Sequence, residues 1–470
     1  MANRNAKKEE VSGVSGSFIG LPGIFITACE SAGGTVILHA ETETKPDKCP
    51  ECGSSTLWRH GATTVTIPHT PMNGHPCKIV LTRVRWRCPV CGYCNQVGMP
   101  ECATEKGYTT HLIEFLNDAC LSRKLRELEK EVGISDSSLQ RYAVDRIREL
   151  DKKYRFPLAC KIGLDEVKIG GDYRTTITNL DKRTLIELRP ARQGEHLIDY
   201  FKSEFQEEER KKVLWICTDM WRSFSKHLAP LFPNAKWVVD KWHVQKEANL
   251  ALEDVRKSIA DELPTIDAKK KLKKQLRWCL LLRPSDPKLS QRDRTWLQAD
   301  LAVVKTFLPR LWTAYGLKEA FFNIYDEHGT RDEAEKAFKA WEASIPADSL
   351  FDNFRTLAKT VRRNHEAIFN YWDSGSLTNA FTECENNLVR ATDRAGRGYS
   401  FEVLRGRVLY NKRALEAAEL RGIVYGPSLE ILREEMAPGT RSGSIDQVEG
   451  VSDNDENPMI IEETNNSEGN

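Results

Sequence analysis

Between Leu158 and Asp240 two carboxylates interrupt runs otherwise apolar enough to be buried, and few folds tolerate that arrangement. The first run is Lys161-Ile-Gly-Leu-Asp165-Glu166-Val-Lys-Ile-Gly. Tyr173-Arg-Thr-Thr-Ile-Thr-Asn-Leu follows and, after an Asp181-Lys182 turn, Thr184-Leu-Ile-Glu-Leu. Alternation and β-branched content predict a three-strand meander. Leu197, Ile198, Tyr200 and Phe201 mark the buried side of an amphipathic helix. Lys212-Val-Leu-Trp-Ile-Cys-Thr-Asp219-Met is the nearly all-apolar run that a central strand needs. The predicted order is β-β-β-α-β, with Asp165 and Asp219 at the ends of apolar runs on the first and fourth strands. Carboxylates on adjacent central strands suit Mg²⁺, a hard cation that takes oxygen ligands. The bland alternative is two strand-end aspartates facing water.

Such an order, with acids on those two strands, is the skeleton of a ribonuclease H-like catalytic core. Further along, Pro233-Asn-Ala-Lys-Trp-Val-Val-Asp240-Lys-Trp-His243-Val is another strand ending in an acid and a histidine. Asp240 and His243 either assist a metal or DNA there or make only local hydrogen bonds. The chain has 470 residues, enough for several domains. No apolar run approaches the roughly 20 residues of a membrane helix. The polar start, Met1 to Val11, lacks the apolar stretch of a secretion signal. Formal net charge is only +1 because an acidic end masks a more basic body. The 13 cysteines are scattered apart from one tight grouping, which fits a reducing cytosol.

That grouping lies in the N-terminal part. Residues 1–16 are polar and small and are expected to be disordered. Runs at residues 23–28 and 35–40 flank Ser31-Ala-Gly-Gly and read as a hairpin. Cys49-Pro-Glu-Cys52-Gly and Cys88-Pro-Val-Cys91-Gly, joined by strand-like sequence, describe a zinc ribbon: four thiolates form the closed tetrahedral shell of structural Zn²⁺. Cys94 is an alternative fourth ligand and Cys102 a weaker one; His75 and Cys77 read as bystanders. Arg83, Arg85 and Arg87 alternate with Val84 and Trp86, giving a basic outer face that is either solvated or against phosphate. Leu125 to Tyr142 fits a helix-turn-helix. Gly133 supplies the turn, Ser135 caps the second helix, and Leu128, Val132, Ile134 and Leu139 form the shared core. In the DNA-binding version Ser137, Ser138, Gln140 and Arg141 face bases or phosphates; ordinary helical hairpins share the pattern.

From Lys246 to about Trp372 the pattern is helical, punctuated by Pro264, Pro284, Pro309 and Pro346, with Trp312, Tyr315, Phe321, Phe322 and Tyr325 as bundle core. The basic run around Lys269 reads as a solvated face, or as a DNA contact should the bundle lie beside the active site. Thr378 is expected to cap a helix carrying Glu383 and Asn387 on one face. Glu385 lies about 200° around from Glu383, so only one of the two glutamates can face the strand acids. Arg390, Arg394 and Arg397, continuing to Arg405, Arg407 and Arg413, form an expected phosphate-binding ridge.

With these pieces in order, residues 17–425 resemble the insertion-sequence transposases of the "ISL three" family, bacterial DDE enzymes. The resemblance rests on Leu21-Pro-Gly, the paired Cys-Pro-x-Cys knuckles, Ile162-Gly-Leu-Asp165-Glu, Thr218-Asp219-Met, Val239-Asp240-Lys-Trp-His243 and the segment from Thr378-Asn379 through Glu383 and Asn386-Asn387 to Gly398-Tyr-Ser-Phe401. The family carries Ser-Asn-Gly-x-x-Glu-Gly-x-Asn-Asn in that last position, which selects Glu383. Ala380 and Cys384 replace family glycines, and Asn179 stands where an Asp is common. The resemblance implies catalysis by Asp165, Asp219 and Glu383 on two Mg²⁺ (or Mn²⁺) ions. Asp165 would bridge the pair, with cleavage and then strand transfer at transposon-end DNA. It also implies a homo-oligomer acting on inverted repeats and target DNA in the bacterial cytoplasm, at the nucleoid. The expected fold is a multi-domain α+β chain. It comprises a disordered 1–16, a β zinc-ribbon domain 17–105 and a helix-turn-helix 106–157. A ribonuclease H-like α/β catalytic core follows in two parts, 158–250 and 373–425, split by an all-helical insertion 251–372, and an acidic disordered tail covers 426–470. The competing readings are a domesticated, catalytically silent DNA-binding regulator and a ribonuclease H-like nuclease that cuts without joining.

Overall fold

The computed structural model describes residues 9–42, 46–96, 98–104, 107–191, 194–220, 222–270, 272, 276–284, 286–411, 414–416 and 420. The acidic tail, Arg413 and most of the basic run after Lys269 lie outside the described residues. Among those described, strands form two sheets.

The first sheet holds β1 (Glu9–Ser15), β2 (Ile24–Ala32), β3 (Thr35–Thr42), β4 (Trp58–Met72), β5 (His75–Arg87) and β6 (Cys94–Gln96) in the order β1-β2-β3-β5-β4, with β6 on β5. Residues 9–15 thus correct the expectation of disorder: β1 pairs antiparallel with β2, Val14 opposite Ile26. Backbone pairing along an edge needs no apolar side chains, so the polar composition concealed it. Ile24, Ile26, Leu38, Ile67, Ile79 and Leu81 make this sheet's core.

Three helices follow, α1 (Thr110–Ser122), α2 (Leu125–Val132) and α3 (Asp136–Lys153). Gly133 ends α2 in the left-handed region and the Ser135 hydroxyl accepts the Ser138 N–H. Leu128, Val132, Ile134 and Leu139 are buried in one cluster with Leu112 and Leu116.

The second sheet runs β11-β10-β7-β8-β9: β7 (Lys161–Ile169), β8 (Asp172–Asn179) and β9 (Thr184–Arg189) antiparallel, then β10 (Trp215–Thr218) and β11 (Lys236–Val239) parallel to β7. Between them lie α4 (Gly194–Glu204), α5 (Glu207–Arg210) and α6 (Arg222–Leu228). Alternation splits β7 between two layers. Ile162 and Leu164 pack with Leu197, Phe201 and Phe224 of α4 and α6. Gly163, Asp165 and Val167 point the other way, where Val167 meets Val389 and Leu404. Those two belong to α15 (Ala380–Gly396) and α16 (Phe401–Leu409).

A helical body lies between β11 and α15: α7 (Lys241–Glu262), α8 (Ile266–Lys270), α9 (Leu276–Leu281), α10 (Gln291–Phe307), α11 (Pro309–Glu327), α12 (Arg331–Ala343), α13 (Asp352–Arg363) and α14 (His365–Asp373). Its core includes Tyr315, Phe321 and Tyr325 and is continuous with Cys217, Val238 and Val239. Asn370 of α14 donates its amide N–H to Trp237 O of β11 at 2.9 Å, satisfying the edge of the sheet.

Candidate active site

Parallel pairing of β10 with β7 sets Cys217 beside Gly163, and pairing with β11 sets Thr218 beside Val239. Two residues beyond the Cys217–Gly163 pair stand Asp219 and Asp165, and one beyond Val239 stands Asp240. Three acids on three neighbouring strands therefore arrive at one level of the sheet. Asp165 is not at a strand end, as the apolar run suggested; it lies in the middle of β7 with only 5% of its surface exposed. Asp240 is 2% exposed, and its backbone N–H bonds Thr218 O at 2.9 Å.

Glu383, half-buried on α15, completes the cluster. Burial pushes the Asp165 carboxyl up to about 7. The Glu166 N–H pulls it down, while the charges of Glu383, Asp219 and Asp240 push it further up. Asp240 is also held above the ordinary carboxyl range, chiefly by burial and in part by Glu383. His243 and the N–H groups of Asn379 and Trp242 act against that shift. Both Asp240 and His243 thus face the cluster, and His243 Nε2 is buried with no hydrogen-bond partner. Glu385 turns the other way, lining a groove of about 740 Å³ with Phe381, Leu388 and Arg407.

What fixes α15 on the sheet is a polar seam. Asn379, Thr382 and Asn386 recur on one helix face and are fully buried. Asn379 Nδ2 donates to Leu164 O at 3.1 Å, and the Thr382 hydroxyl donates to Asn379 Oδ1 at 2.5 Å. Thr178 then donates to Thr382 Oγ1 at 2.6 Å. Asn386 Nδ2 reaches Asp165 Oδ2 at 2.7 Å and its Oδ1 accepts from Thr176 at 2.6 Å. Close approach requires Gly163. A Cβ there would come within 2.6 Å of Thr178 Oγ1 and nearer still to Thr382 Oγ1 and Asn379 Oδ1. None of these seam contacts was foreseen from sequence. The available signal was Thr382, Asn386 and Val389 at core spacing. Nor does Thr378 cap α15: Asn379 holds the cap position, and its side chain serves the seam instead.

Cys49, Cys52, Cys88 and Cys91 form the second centre, their sulfurs all within 4.8 Å of one another. Cys49 Sγ lies 3.6 Å from Cys91 Sγ, and Cys52 Sγ lies 3.5 Å from Cys88 Sγ. A tetrahedral ion with bonds of about 2.3 Å sets sulfurs about 3.8 Å apart, so this quartet fits Zn²⁺. Gly53 and Gly92 have φ of 72° and 77°, which lets their N–H groups turn back to Cys49 O and Cys88 O. The Cys91 and Val90 N–H groups hold the Cys88 thiol down at about 6. Cys94 begins β6 opposite Arg87, outside the quartet, and Cys102 sits in the first sheet's core. The four acids converge less tightly: among the described residues only the cysteine quartet has every ligand atom within 4.8 Å of the others.

Ser137 and Arg141 are exposed on α3, and Ser138 and Gln140 half-buried. Gln140 is bonded to Asp136 and Arg141 to Ser138. Arg394 and Arg397 are exposed and Arg390 half-buried near the end of α15. The arginine ridge stops there. Arg405 is clamped to Glu187 and Asp151 at 2.7–3.0 Å. Arg407 donates to Cys120 O and Arg123 O at 2.6 and 2.7 Å, satisfying the open carbonyls at the end of α1. Both are internal ties, and the expectation of phosphate contact at these two positions is corrected.

A sequence model described as a transposase of the ISL3 type matches residues 162–408, and one described as the zinc-finger of transposase IS204/IS1001/IS1096/IS1165 matches residues 45–94. The chain belongs to the ISL3 transposase family. No curated protein matches it.

Proposed function

We propose that the protein is a DNA transposase whose Asp165, Asp219 and Glu383 hold divalent cations for strand cleavage and strand transfer at transposon ends. The carrying observation is the buried Asp165, faced by Asp219, Asp240 and Glu383 and pushed up to about 7. Oxygen-only donors whose mutual repulsion a cation relieves fit Mg²⁺ or Mn²⁺. Bound there, the ions would supply Lewis acidity to the attacking hydroxyl and the leaving oxygen of a phosphodiester. The chain's part is to hold Asp165 rigid, to set Glu383 against it through the α15 seam and to bury the site beneath that helix. Strands meeting in the order three antiparallel, two parallel support a ribonuclease H-like reading of the second sheet. The helical body from α7 to α14 is then an insertion between its last strand and α15.

For DNA, the Gly133 turn and capped α3 support a helix-turn-helix, with Ser137, Ser138, Gln140 and Arg141 in the first two turns of its second helix. Arg390, Arg394 and Arg397 would hold phosphates beside the acids. Purified protein with Mg²⁺ should nick and join a duplex carrying the element's end. Asp219→Ala and Glu383→Ala should bind that duplex and leave it intact. Full cleavage by Asp219→Ala would refute the assignment; cleavage without joining would favour a nuclease.

A further inference from the structure

Asp165 lies directly across from Thr176 in the β7–β8 ladder, and Asn386 of α15 bridges the two. Thr176 has one hydroxyl proton and spends it on Asn386 Oδ1 at 2.6 Å, so the amide can turn only its NH₂ toward Asp165. That NH₂ meets Asp165 Oδ2 at 2.7 Å while the Glu166 N–H meets Oδ1 at 2.8 Å. Each carboxylate oxygen is thereby pinned by one donor and keeps a lone pair, with the plane of the group fixed. Thr176 and Asn386 are both fully buried, so no water competes for these bonds.

We infer that Asn386, oriented by Thr176, is a positioning residue that presents Asp165 to divalent cations. This rests on the reading of Asp165 as a cation ligand. A donor behind a ligating carboxylate fixes its direction and favours its charged form, and loss of such a partner costs roughly 10–100-fold in metal affinity or activity. Asn386→Leu keeps the branched outline of the side chain, slightly enlarged, and removes both bonds. Thr176→Val removes only the hydroxyl that fixes the amide, and Thr176→Ser restores it.

The test is Mn²⁺ binding to the full-length, zinc-loaded protein, read from the electron paramagnetic resonance of free Mn²⁺, beside strand cleavage at increasing Mn²⁺. Zinc held by four thiolates does not exchange with a metal that prefers oxygen. Asn386→Leu should weaken Mn²⁺ binding roughly 10–100-fold, and saturating Mn²⁺ should recover much of its cleavage. Thr176→Val should show a smaller loss of the same kind and Thr176→Ser should match the parent protein. A merely structural bond would lower the melting temperature without moving the affinity of the folded molecules. Folded Asn386→Leu, or Thr176→Val where the first variant does not fold, binding Mn²⁺ as tightly as the parent would overturn this inference alone. A parent protein whose Mn²⁺ binding survives Asp165→Ala would overturn the cation reading of Asp165 and this inference with it.

Discussion

Raising the pH should loosen the second sheet in the absence of Mg²⁺, and Asp165 sets the size of the effect. Its carboxyl stands at about 7 in the fold against an ordinary value of 3.8. Between those values the native state binds a proton that the unfolded chain has released, so stability falls as pH rises. The stabilisation is complete below about pH 4, declines through the interval and is gone above about pH 7. From pH 5 to pH 8 the loss comes to roughly 2–3 kcal/mol, at about 1.4 kcal/mol for each unit of that interval. Bound Mg²⁺ reverses the sign, because it favours the charged carboxylate. The assay is urea unfolding in Mg²⁺-free buffer, without chelator so that zinc stays in place, following the transition of the sheet that carries Trp215 and Trp237. Asp165→Ala should flatten the pH slope, and saturating Mg²⁺ at pH 8 should raise the parent's midpoint but not the variant's. Equal slopes for the two proteins between pH 5 and pH 7 would refute the electrostatic account of the cluster.

Gly163→Ala drives a methyl into the Thr178–Thr382–Asn379 seam. It should cost about 2–5 kcal/mol by overpacking and strained hydrogen bonds, with cleavage falling further than stability explains, as denaturation and nicking assays would show. Cys88→Ser should abolish zinc retention, measured by metal analysis, and weaken end-DNA binding while leaving the unfolding of the second sheet unchanged. Arg405→Met leaves Glu187 buried without its cation and should destabilise the protein by about 3–5 kcal/mol. The salt dependence of its DNA affinity should stay as in the parent, whereas Arg394→Ala should lower the magnitude of that slope by about one.

Much of the acid cluster was legible because a carboxylate inside an apolar run stands out whatever its partners. Asp165, Asp219 and Asp240 could each be named that way and the cysteine quartet from knuckle spacing, whereas Glu383, in a polar stretch, was separated from Glu385 only by the family resemblance. Side chains whose role depends on a distant partner were not legible. Arg405 and Arg407 looked like a surface ridge because their acceptors, Glu187, Asp151 and the end of α1, lie hundreds of positions earlier. Asn386 looked like one polar residue among several on an acidic helix; only burial against Asp165 and Thr176 distinguishes it. The Glu9–Ser15 strand was hidden for the opposite reason, since its partner is backbone and its side chains carry no apolar period.

Whether acids so far apart in sequence share a cation is tested most directly by replacing Mg²⁺ with Fe²⁺ and adding ascorbate and peroxide, so that radicals born at the metal cut the nearest polypeptide. Fragments should map to the neighbourhoods of residues 165, 219, 240 and 383 together, fade with added Mg²⁺ and vanish in Asp165→Ala. Cuts confined to one of those segments, or a pattern indifferent to Mg²⁺ and to Asp165, would contradict the account.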